Sequence, residues 1–322
     1  MKIHLSIDSR HRVKGFLSVL ALLLFTLAYD VAPGAQAAPC CSGSALVPTL
    51  ITTDSNAQVA FQAGQSAVVG NSQSDGSSIF NREGNAEHTT AFQLAGAYAL
   101  SARWQIHASV PFNRRGRTLD EASGSHAGWG DSSAGVALEA LQELRYNPYK
   151  PRVWIFADLT APTGNSIYEA TDNLKTEAHG RGAWAGTLGA MALKTWGSFD
   201  AYVLGEHRRN ATQTVSMDGQ NTRVTLGPTT AIDGGLGYSI SGFRLGASLG
   251  PTWDGAVKTS APSGEIVQAR SKLSWSVGMQ VAYTFLDTWA FSASYSDQTL
   301  VGPSYNAPLS RGFMTTLTKR FE

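Results

Sequence analysis

The run from Ser271 to Phe285 constrains the fold more than any other part of this chain. Large apolar side chains alternate there with small or polar ones over fifteen residues without interruption. A period of two places the apolar set on one face of a β-strand and the other set on the opposite face. Trp275 and Phe285 lie ten residues apart on the apolar face. At about 3.3 Å per residue and about 40° of tilt, this spacing spans about 25 Å, the height of the apolar band of an outer-membrane β-barrel.

The same alternation recurs along the chain and predicts about twelve strands between residues 58 and 322. Short connections rich in turn residues alternate with long ones, which is the pattern of bacterial outer-membrane barrels. The short connections are predicted at 101–103, 195–198, 241–242 and 287–288, with a medium one at 143–151. The long ones are predicted near 70–87, 113–128, 165–181, 209–222, 254–270 and 298–309. The predicted fold is therefore all-β, a transmembrane antiparallel up-and-down β-barrel, with its eighth strand starting near Arg223.

The N-terminus predicts export. Residues 1–37 combine a basic leader, an apolar stretch from Gly15 to Tyr29 and the small residues Ala35 and Ala37, as in a secretory signal peptide. An uncleaved anchor is the alternative, but the stretch is too short to span a bilayer. Residues 38–57 are predicted to form a periplasmic N-terminal segment or plug, and residues 58–322 the barrel. The predicted location is the cell outer membrane.

Composition excludes several classes of function. Removing residues 1–37, with four basic and two acidic residues, changes the formal net charge from +1 to −1. The mature chain then has no basic field for nucleic acid and no acidic tract for cations. Beyond the leader, no apolar run approaches the length of a membrane helix. Only 15% of residues are charged, while 33 are glycine, which suits tight turns and a crowded inner wall.

Signals for catalysis or a cofactor are scarce. The sequence has no nucleophile elbow, phosphate-binding loop or Cys/His zinc spacing, so we predict no enzyme, no cofactor and no metal site. Its two cysteines, Cys40 and Cys41, are adjacent. They allow a lipoprotein anchor, a vicinal or intermolecular disulfide, or no chemistry of their own. A barrel hydrolase remains a less favoured alternative.

If the apolar parity faces lipid, the opposite parity lines the interior. Polar side chains there can select solutes by charge and hydrogen bonding, or pair with one another as scaffolding. Trp154 and Phe156 share the inner parity of their strand, which allows a partly apolar interior. The candidates to line the lumen are Gln105, His107, Asp131, Glu139, Arg152, Asp158, Glu206, Arg208, Arg244, Lys272 and Gln280.

Two short motifs resemble those of a known family. Gly128-Trp129-Gly130-Asp131 precedes the fourth predicted strand, and Pro162-Thr163-Gly164 ends the fifth. This arrangement resembles the outer-membrane transporters named for the phenol meta-degradation pathway. The resemblance implies a barrel that passes small hydrophobic or aromatic compounds.

The sequence thus predicts an outer-membrane channel or transporter for small solutes. Its expected partners are outer-membrane lipid, the barrel-assembly machinery and a small-molecule solute, and no nucleic acid. The principal alternative is a closed barrel whose outer loops serve as a surface interaction or structural module. A wide lumen would favour the channel, and an interior filled by charge pairs would favour the closed barrel.

Overall fold

The structure, a computed structural model, describes residues 49–52, 55–82, 84–217 and 220–322. The leader predicted over residues 1–37 lies outside the described residues, as do Cys40, Cys41 and most of the segment 38–57. Within the described part of the chain, no helix is long and apolar enough to cross a membrane.

The described residues form strands β1 to β18. The longest, β1 and β4, have 16 residues each, more than the roughly 9–11 that a tilted strand needs to cross a membrane. In chain order the strands are β1 (Ala57–Ser72), β2 (Ser78–Phe80), β3 (Ala86–Ala99), β4 (Trp104–Leu119), β5 (Ala122–Trp129), β6 (Ser132–Leu141), β7 (Arg152–Ala161), β8 (Ala185–Trp196), β9 (Phe199–Asn210), β10 (Gln213–Met217), β11 (Gln220–Thr225), β12 (Thr229–Ile240), β13 (Phe243–Asp254), β14 (Lys258–Ser260), β15 (Ile266–Gln268), β16 (Lys272–Phe285), β17 (Trp289–Asp297) and β18 (Pro308–Phe321).

Twelve of these strands close into one antiparallel barrel, which confirms the predicted fold and strand number. Their order around the wall is β1, β3, β4, β6, β7, β8, β9, β12, β13, β16, β17 and β18. β18 then pairs with β1, from Ala57 opposite Phe321 to Asn71 opposite Pro308. Closure matters because hydrocarbon offers no partner to backbone N–H and C=O groups, so a strand edge cannot face lipid.

The two faces of the barrel wall differ as the alternation predicts. In β16, Gly278, Gln280 and Ala282 are buried on the inner face, whereas Met279 is 58% exposed on the outer face. Large apolar side chains on the outer face of the neighbouring strands, such as Leu245, are exposed as well. An exterior of this kind is stable in lipid and not in water, so the barrel is an outer-membrane protein.

Tight turns join the strands at one end of the barrel, which by analogy with such barrels is the periplasmic end. Ser241 and Gly242 between β12 and β13 both have positive φ angles, of 46° and 83°. Leu286 and Asp287 between β16 and β17 also have positive φ, of 50° and 56°. Two consecutive residues of this kind match the right-handed twist of a hairpin, which explains why these connections are so short.

At the outer end, strands replace several connections that the sequence predicts as loops. β4 continues beyond the barrel and pairs with β5, and β10, β11, β14 and β15 form a separate four-stranded sheet. Arg223 therefore lies in β11, and the eighth barrel strand begins at Thr229 instead. These segments are short and carry few large apolar side chains, so they lack the long apolar stripe by which the spanning strands are recognised in the sequence.

Candidate functional site in the barrel interior

The inner face of the wall carries most of the side chains predicted to line the lumen. Asp131 instead lies in the connection between β5 and β6, and Lys272 is exposed at the outer end of β16, apart from the others. The candidates on inward positions of the strands are Gln105, His107, Glu139, Arg152, Asp158, Glu206, Arg208, Arg244 and Gln280.

Near the periplasmic end, the inner wall holds residues 50–52 of the N-terminal segment. The Ile51 N–H donates to Oε1 of Gln105 over 2.7 Å. Nε2 of Gln58 donates to the Leu50 carbonyl over 3.0 Å, and Nη1 of Arg152 to the Thr52 carbonyl over 2.7 Å. Side chains from three strands thus supply the backbone partners that a strand would otherwise provide. The segment is tethered inside the barrel through its backbone.

The Arg152 guanidinium also pairs with a buried carboxylate. Its Nε lies 2.7 Å from Oε1 of Glu139, which is 6% exposed. The guanidinium carbon lies 4.8 Å from the centre of the Trp154 ring. Arg152 therefore joins Glu139, Thr52 and an aromatic face, and this combination suits the planar, multi-donor guanidinium better than the ammonium of lysine.

An apolar cluster surrounds this part of the interior. Trp154 and Met191 are fully buried, and Gly189 of β8 makes room for Phe156, since a Cβ at this glycine would overlap the ring. The interior of a water-filled porin is polar, so a cluster of this size marks a different kind of lumen. Its members are Leu50, Ala137, Trp154, Phe156, Met191, Leu193, Tyr202 and Leu204.

Farther along the wall, Nε2 of His107 in β4 and the carboxylate of Asp158 in β7 are hydrogen-bonded to each other. Gly135 of β6 lies between them, and a Cβ there would overlap the Asp158 carboxylate. Glu206 interacts electrostatically with Asp158 and Arg208. Nδ1 of His107 and Nε of Arg208 are buried and have no hydrogen-bond partner within the described residues. Unsatisfied donors and acceptors here offer hydrogen bonds to a molecule inside the barrel.

A second buried ion pair braces the wall from β9 to β13. Arg244 is 2% exposed, and its Nε and Nη2 donate to the two carboxylate oxygens of Asp200 over 2.8 and 2.6 Å. Its Nη1 donates to Oε1 of Gln280 over 3.2 Å. The guanidinium passes over Gly237, where a Cβ would collide with it. On the neighbouring strand, Tyr202 donates to Asp233 over 2.6 Å.

Asp200, Tyr202 and Asp233 are interior residues that the sequence candidates omit. The signal was present: Phe199 and Ala201 are outward, so Asp200 and Tyr202 between and beyond them must face inward. Lys194 is buried as well, but it has outward parity at the periplasmic end of β8 and pairs with Glu143 in the connection between β6 and β7. The pKa of Glu143 is lowered mainly by the Asn147 N–H and next by the Lys194 ammonium.

The connection between β7 and β8, residues 162–184, folds over the outer end of the lumen. Asp131 holds it at one side by accepting hydrogen bonds from the Gly164 and Arg181 N–H groups over 3.1 and 2.6 Å. Nη1 of Arg181 then donates to Thr229 of β12 over 3.3 Å. On the opposite side, Arg115 of β4 donates to the Ala178 carbonyl over 3.4 Å. The connection therefore contacts well-separated parts of the wall, and Asp131 acts as its anchor.

Two histidines join this connection to β5. Nδ1 of His126 lies 3.1 Å from Nε2 of His179, and the rings stack. Burial lowers the pKa of His179, and the nearby charges of His126 and Arg115 lower it further. Gly128 makes room for the His179 ring, to which a Cβ would come within 2.6 Å. The lowered pKa favours the neutral form of His179, in which one ring nitrogen can accept a hydrogen bond.

Lys272 lies outside these groups, at a cavity of about 500 Å³ near the outer rim. Trp253, Leu273 and Tyr305 contribute the apolar part of its lining. No cluster of three or more His, Cys, Asp or Glu side chains within the described ranges could hold a metal ion.

Comparison with known proteins agrees with this geometry. The family model described as the MetA-pathway of phenol degradation matches residues 112–304, more than half of the chain. No curated protein matches the sequence. Among solved structures, the COG4313 outer membrane channel from Pseudomonas putida F1 is similar at 17% identity and a TM-score of 0.67, covering 91% of this chain and 100% of that one.

Weaker likenesses are to a TodX monoaromatic hydrocarbon channel mutant and the NanC porin. The TodX mutant is 9% identical with a TM-score of 0.42 and covers 84% of this chain and 91% of its own. For NanC the identity is 11%, the TM-score 0.43 and the coverage 81% and 98%. The extent of the family match decides the classification: the chain belongs to the family of the MetA-pathway of phenol degradation.

Proposed function

We propose that this barrel is an outer-membrane channel through which small hydrophobic or aromatic solutes diffuse passively. The apolar cluster inside the barrel is the observation that carries the proposal. Family membership and the likeness to a COG4313 outer membrane channel support it. A passive channel needs a continuous wall and an interior that matches its solute, and it needs no cofactor.

The interior suits a solute that is mostly apolar. Met191, Phe156 and Leu204 present buried apolar surface on three adjacent strands. Moving a hydrophobic solute from the lipid or loop region into contact with these side chains costs less free energy than moving it into a fully polar pore. Polar groups near them, such as the buried Nε of Arg208, give a hydroxyl or carbonyl on the solute a place to bind.

The N-terminal segment is proposed to gate this passage. Residues 1–37 would be removed on export, residues 38–57 would act as the plug, and residues 58–322 would form the channel. Four side-chain hydrogen bonds to the backbone of residues 50–52 support this role, because they hold the segment against the inner wall by non-covalent contacts. Bonds of this kind are worth about 1 kcal/mol each, so the segment can be released.

The proposed partners follow from the same arrangement. The barrel-assembly machinery would insert the chain, and the solute would be its only small-molecule partner. We propose no catalysis, since the interior carboxylates of Glu139 and Asp200 are committed to Arg152 and Arg244. A carboxylate held by a guanidinium is a weak base and a poor nucleophile.

A closed barrel that binds partners through its outer loops is the second candidate. The buried pair of Arg244 and Asp200 and the connection over the outer end favour it, because both reduce the open section of the lumen. The two candidates differ in one measurable property, since only a channel speeds solute entry.

Uptake of radiolabelled toluene by cells with an intact outer membrane tests the channel. Cells carrying the protein should take up toluene faster than cells with an empty vector. Met191→Gln adds a polar group to the apolar cluster and should lower the gain at least fivefold. Met314→Gln, the same change on the opposite inner wall, should lower it less than twofold.

Equal uptake with protein and with empty vector, at equal amounts of folded barrel, would exclude the channel and leave the closed barrel. Equal loss in the two methionine variants would mean that the apolar cluster does not select the solute.

A further inference from the structure

The connection over residues 162–184 crosses the outer opening of the lumen. It contacts β4 on one side and β12 on the other, and these strands are five places apart in the ring of twelve. Its edge over residues 174–179 rests on β4 and β5, beyond the part of the wall that spans the membrane. The position of this edge therefore affects how much of the opening is covered.

The shortest polar contact at this edge joins two imidazoles. Nδ1 of His126 lies 3.1 Å from Nε2 of His179, and the ring centres are 5.4 Å apart. Three hydrogen bonds from β4 side chains to backbone carbonyls of the connection accompany it, and all three are longer than the usual N–H···O distance. They run from Arg117 to Leu174 over 3.4 Å, from Arg115 to Ala178 over 3.4 Å and from Asn113 to His179 over 3.3 Å.

Protonation works against this contact. Between two neutral imidazoles, one ring nitrogen donates and the other accepts. A second added proton makes every ring nitrogen a donor, so the contact between His126 and His179 loses its acceptor. Nδ1 of His179 is buried and has no hydrogen-bond partner within the described residues. A charged His179 would therefore also bury an N–H group without an acceptor, which is costly.

The charges around the pair oppose protonation as well. Burial lowers the pKa of His179, and the charges of His126 and of Arg115 on β4 lower it further. Glu87 of β3 lies 2.6 Å from Arg115 and 3.6 Å from Arg117. Within the described ranges, no carboxylate lies within ion-pair distance of either imidazole. A positive charge on the pair is therefore not compensated locally.

Other charged groups of the connection are engaged elsewhere. Glu177 accepts hydrogen bonds from the N–H and hydroxyl of Thr171 over 2.8 and 3.0 Å. The Thr171 N–H lowers the pKa of Glu177, which therefore stays ionised at pH 5. On the far side, Asp131 accepts from the Arg181 N–H, and the Arg181 guanidinium donates to Thr229. These contacts can hold one side of the connection while the other is released.

We propose that the connection is an acid-released lid, in which protonation of His126 and His179 separates residues 174–179 from β4 and β5 and widens the outer opening. In the closed position, the pKa of His179 is below its ordinary value of 6.5, to which release would return it. The closed position is thus fully favoured above about pH 6.5 and loses stability as the pH falls below it. Release does not depend on solute passage, whereas its effect on current rests on the proposed channel.

Hydrogen–deuterium exchange of residues 166–177 tests release directly. After correction for the intrinsic rate, exchange in wild type should be at least fivefold faster at pH 5 than at pH 7.5. The double variant His126→Asn with His179→Gln keeps a donor and an acceptor but does not titrate, and its rate should change less than twofold. His88→Asn, on the opposite parity of β3 from Glu87, is the control and should respond as wild type.

A fixed charge at position 126 tests the same step without a change of pH. The His126 side chain is exposed, so the barrel folds with other residues there. At pH 7.5, His126→Arg should exchange at least fivefold faster than His126→Gln, because the guanidinium repels Arg115 and offers no acceptor to His179. Equal exchange in these two variants, or a wild-type rate that is the same at both pH values, would overturn the proposal.

Mean single-channel conductance in planar bilayers tests the widening. Wild type should conduct at least twice as well at pH 5 as at pH 7.5, and the double variant should show no such rise. Faster exchange at pH 5 without this rise would show that the connection moves but does not cover the opening, so the lid would be wrong. No conductance at either pH, with exchange still dependent on pH, would contradict the proposed channel and not the release.

Discussion

Arg244 shows how a single side chain can brace the inside of a barrel wall. It joins β13 to Asp200 of β9 across the intervening strand, and both side chains are almost fully buried. Two parallel hydrogen bonds in a water-poor setting fix the guanidinium more firmly than a surface pair would be fixed. Gly237, beneath the guanidinium, is needed for this close approach.

Replacing Arg244 by methionine should destabilise the barrel because it leaves Asp200 charged, buried and without its cation. The expected loss is about 3 kcal/mol in the free energy of unfolding. Reversible urea unfolding in lipid vesicles measures it. The double variant R244M/D200N should recover at least half of the loss, and the exposed Arg114→Met should change stability by less than about 0.5 kcal/mol. Equal losses in the single and double variants would show that the pair is not the cause.

Which residues face inward could be predicted from the sequence, but their partners could not. Parity places Glu139 and Arg152 inside from their strands alone. Arg244 meets Asp200 across 44 residues, and His126 meets His179 across 53. Such pairs depend on which strands become neighbours and on how a long connection folds. Neither is encoded in local periodicity.

Among the larger elements, the N-terminal segment is the one that lies within the lumen instead of forming the wall. Side chains of the wall supply hydrogen-bond partners to the backbone of residues 50–52. Removing those side chains weakens the segment's attachment without touching the strands. The segment is thus the element whose position can be changed separately from the wall.

The double variant Gln58→Leu with Gln105→Leu should raise single-channel conductance in planar bilayers. It removes three hydrogen bonds of about 1 kcal/mol each, which shifts the bound-to-released equilibrium by roughly two orders of magnitude. We expect at least a doubling of the mean conductance. The control is Gln62→Leu with Gln93→Leu, which changes two facing inner glutamines of β1 and β3. An equal rise in both variants would mean that lumen polarity, not release, sets the conductance.

Strands that span the membrane were predictable, whereas their continuation outside it was not. The alternating pattern in the sequence predicts β16, because the face of the strand that contacts lipid must be apolar. β5 and β11 have no such face, yet Ser, Thr and Arg pair there in regular registers. Outside the membrane, a strand needs only a neighbouring strand with which to form backbone hydrogen bonds. The strand order of the barrel determines which strand that is.

At the scale of the whole molecule, one seam completes the barrel. β18 pairs with β1 on one side and with β17 on the other, so Leu317 lies opposite both Phe61 and Phe291. A proline at this position cannot donate to either neighbour. The seam is therefore sensitive to a single residue.

Leu317→Pro should prevent closure, since one ladder hydrogen bond is lost and the ring clashes with an extended neighbour. An unboiled sample of wild type in detergent should migrate differently from a boiled one on a gel. The proline variant should show one mobility in both samples. Leu317→Ile, which keeps the donor and the apolar surface, should behave as wild type. A persistent shift in the proline variant would show that the barrel closes without this bond.

Pairing of Ala57 with Phe321 also fixes the order of events during assembly. These partners are more distant in sequence than any other pair in the wall, so bringing them together costs the largest loss of chain entropy. We expect this pairing to form last. Until the final strand is in place, the growing sheet has two unpaired edges, on its first and last strands. The barrel of a nascent chain therefore cannot close until its C-terminal strand has been synthesised. Its lifetime as an open sheet is set by how quickly the C-terminal strand arrives.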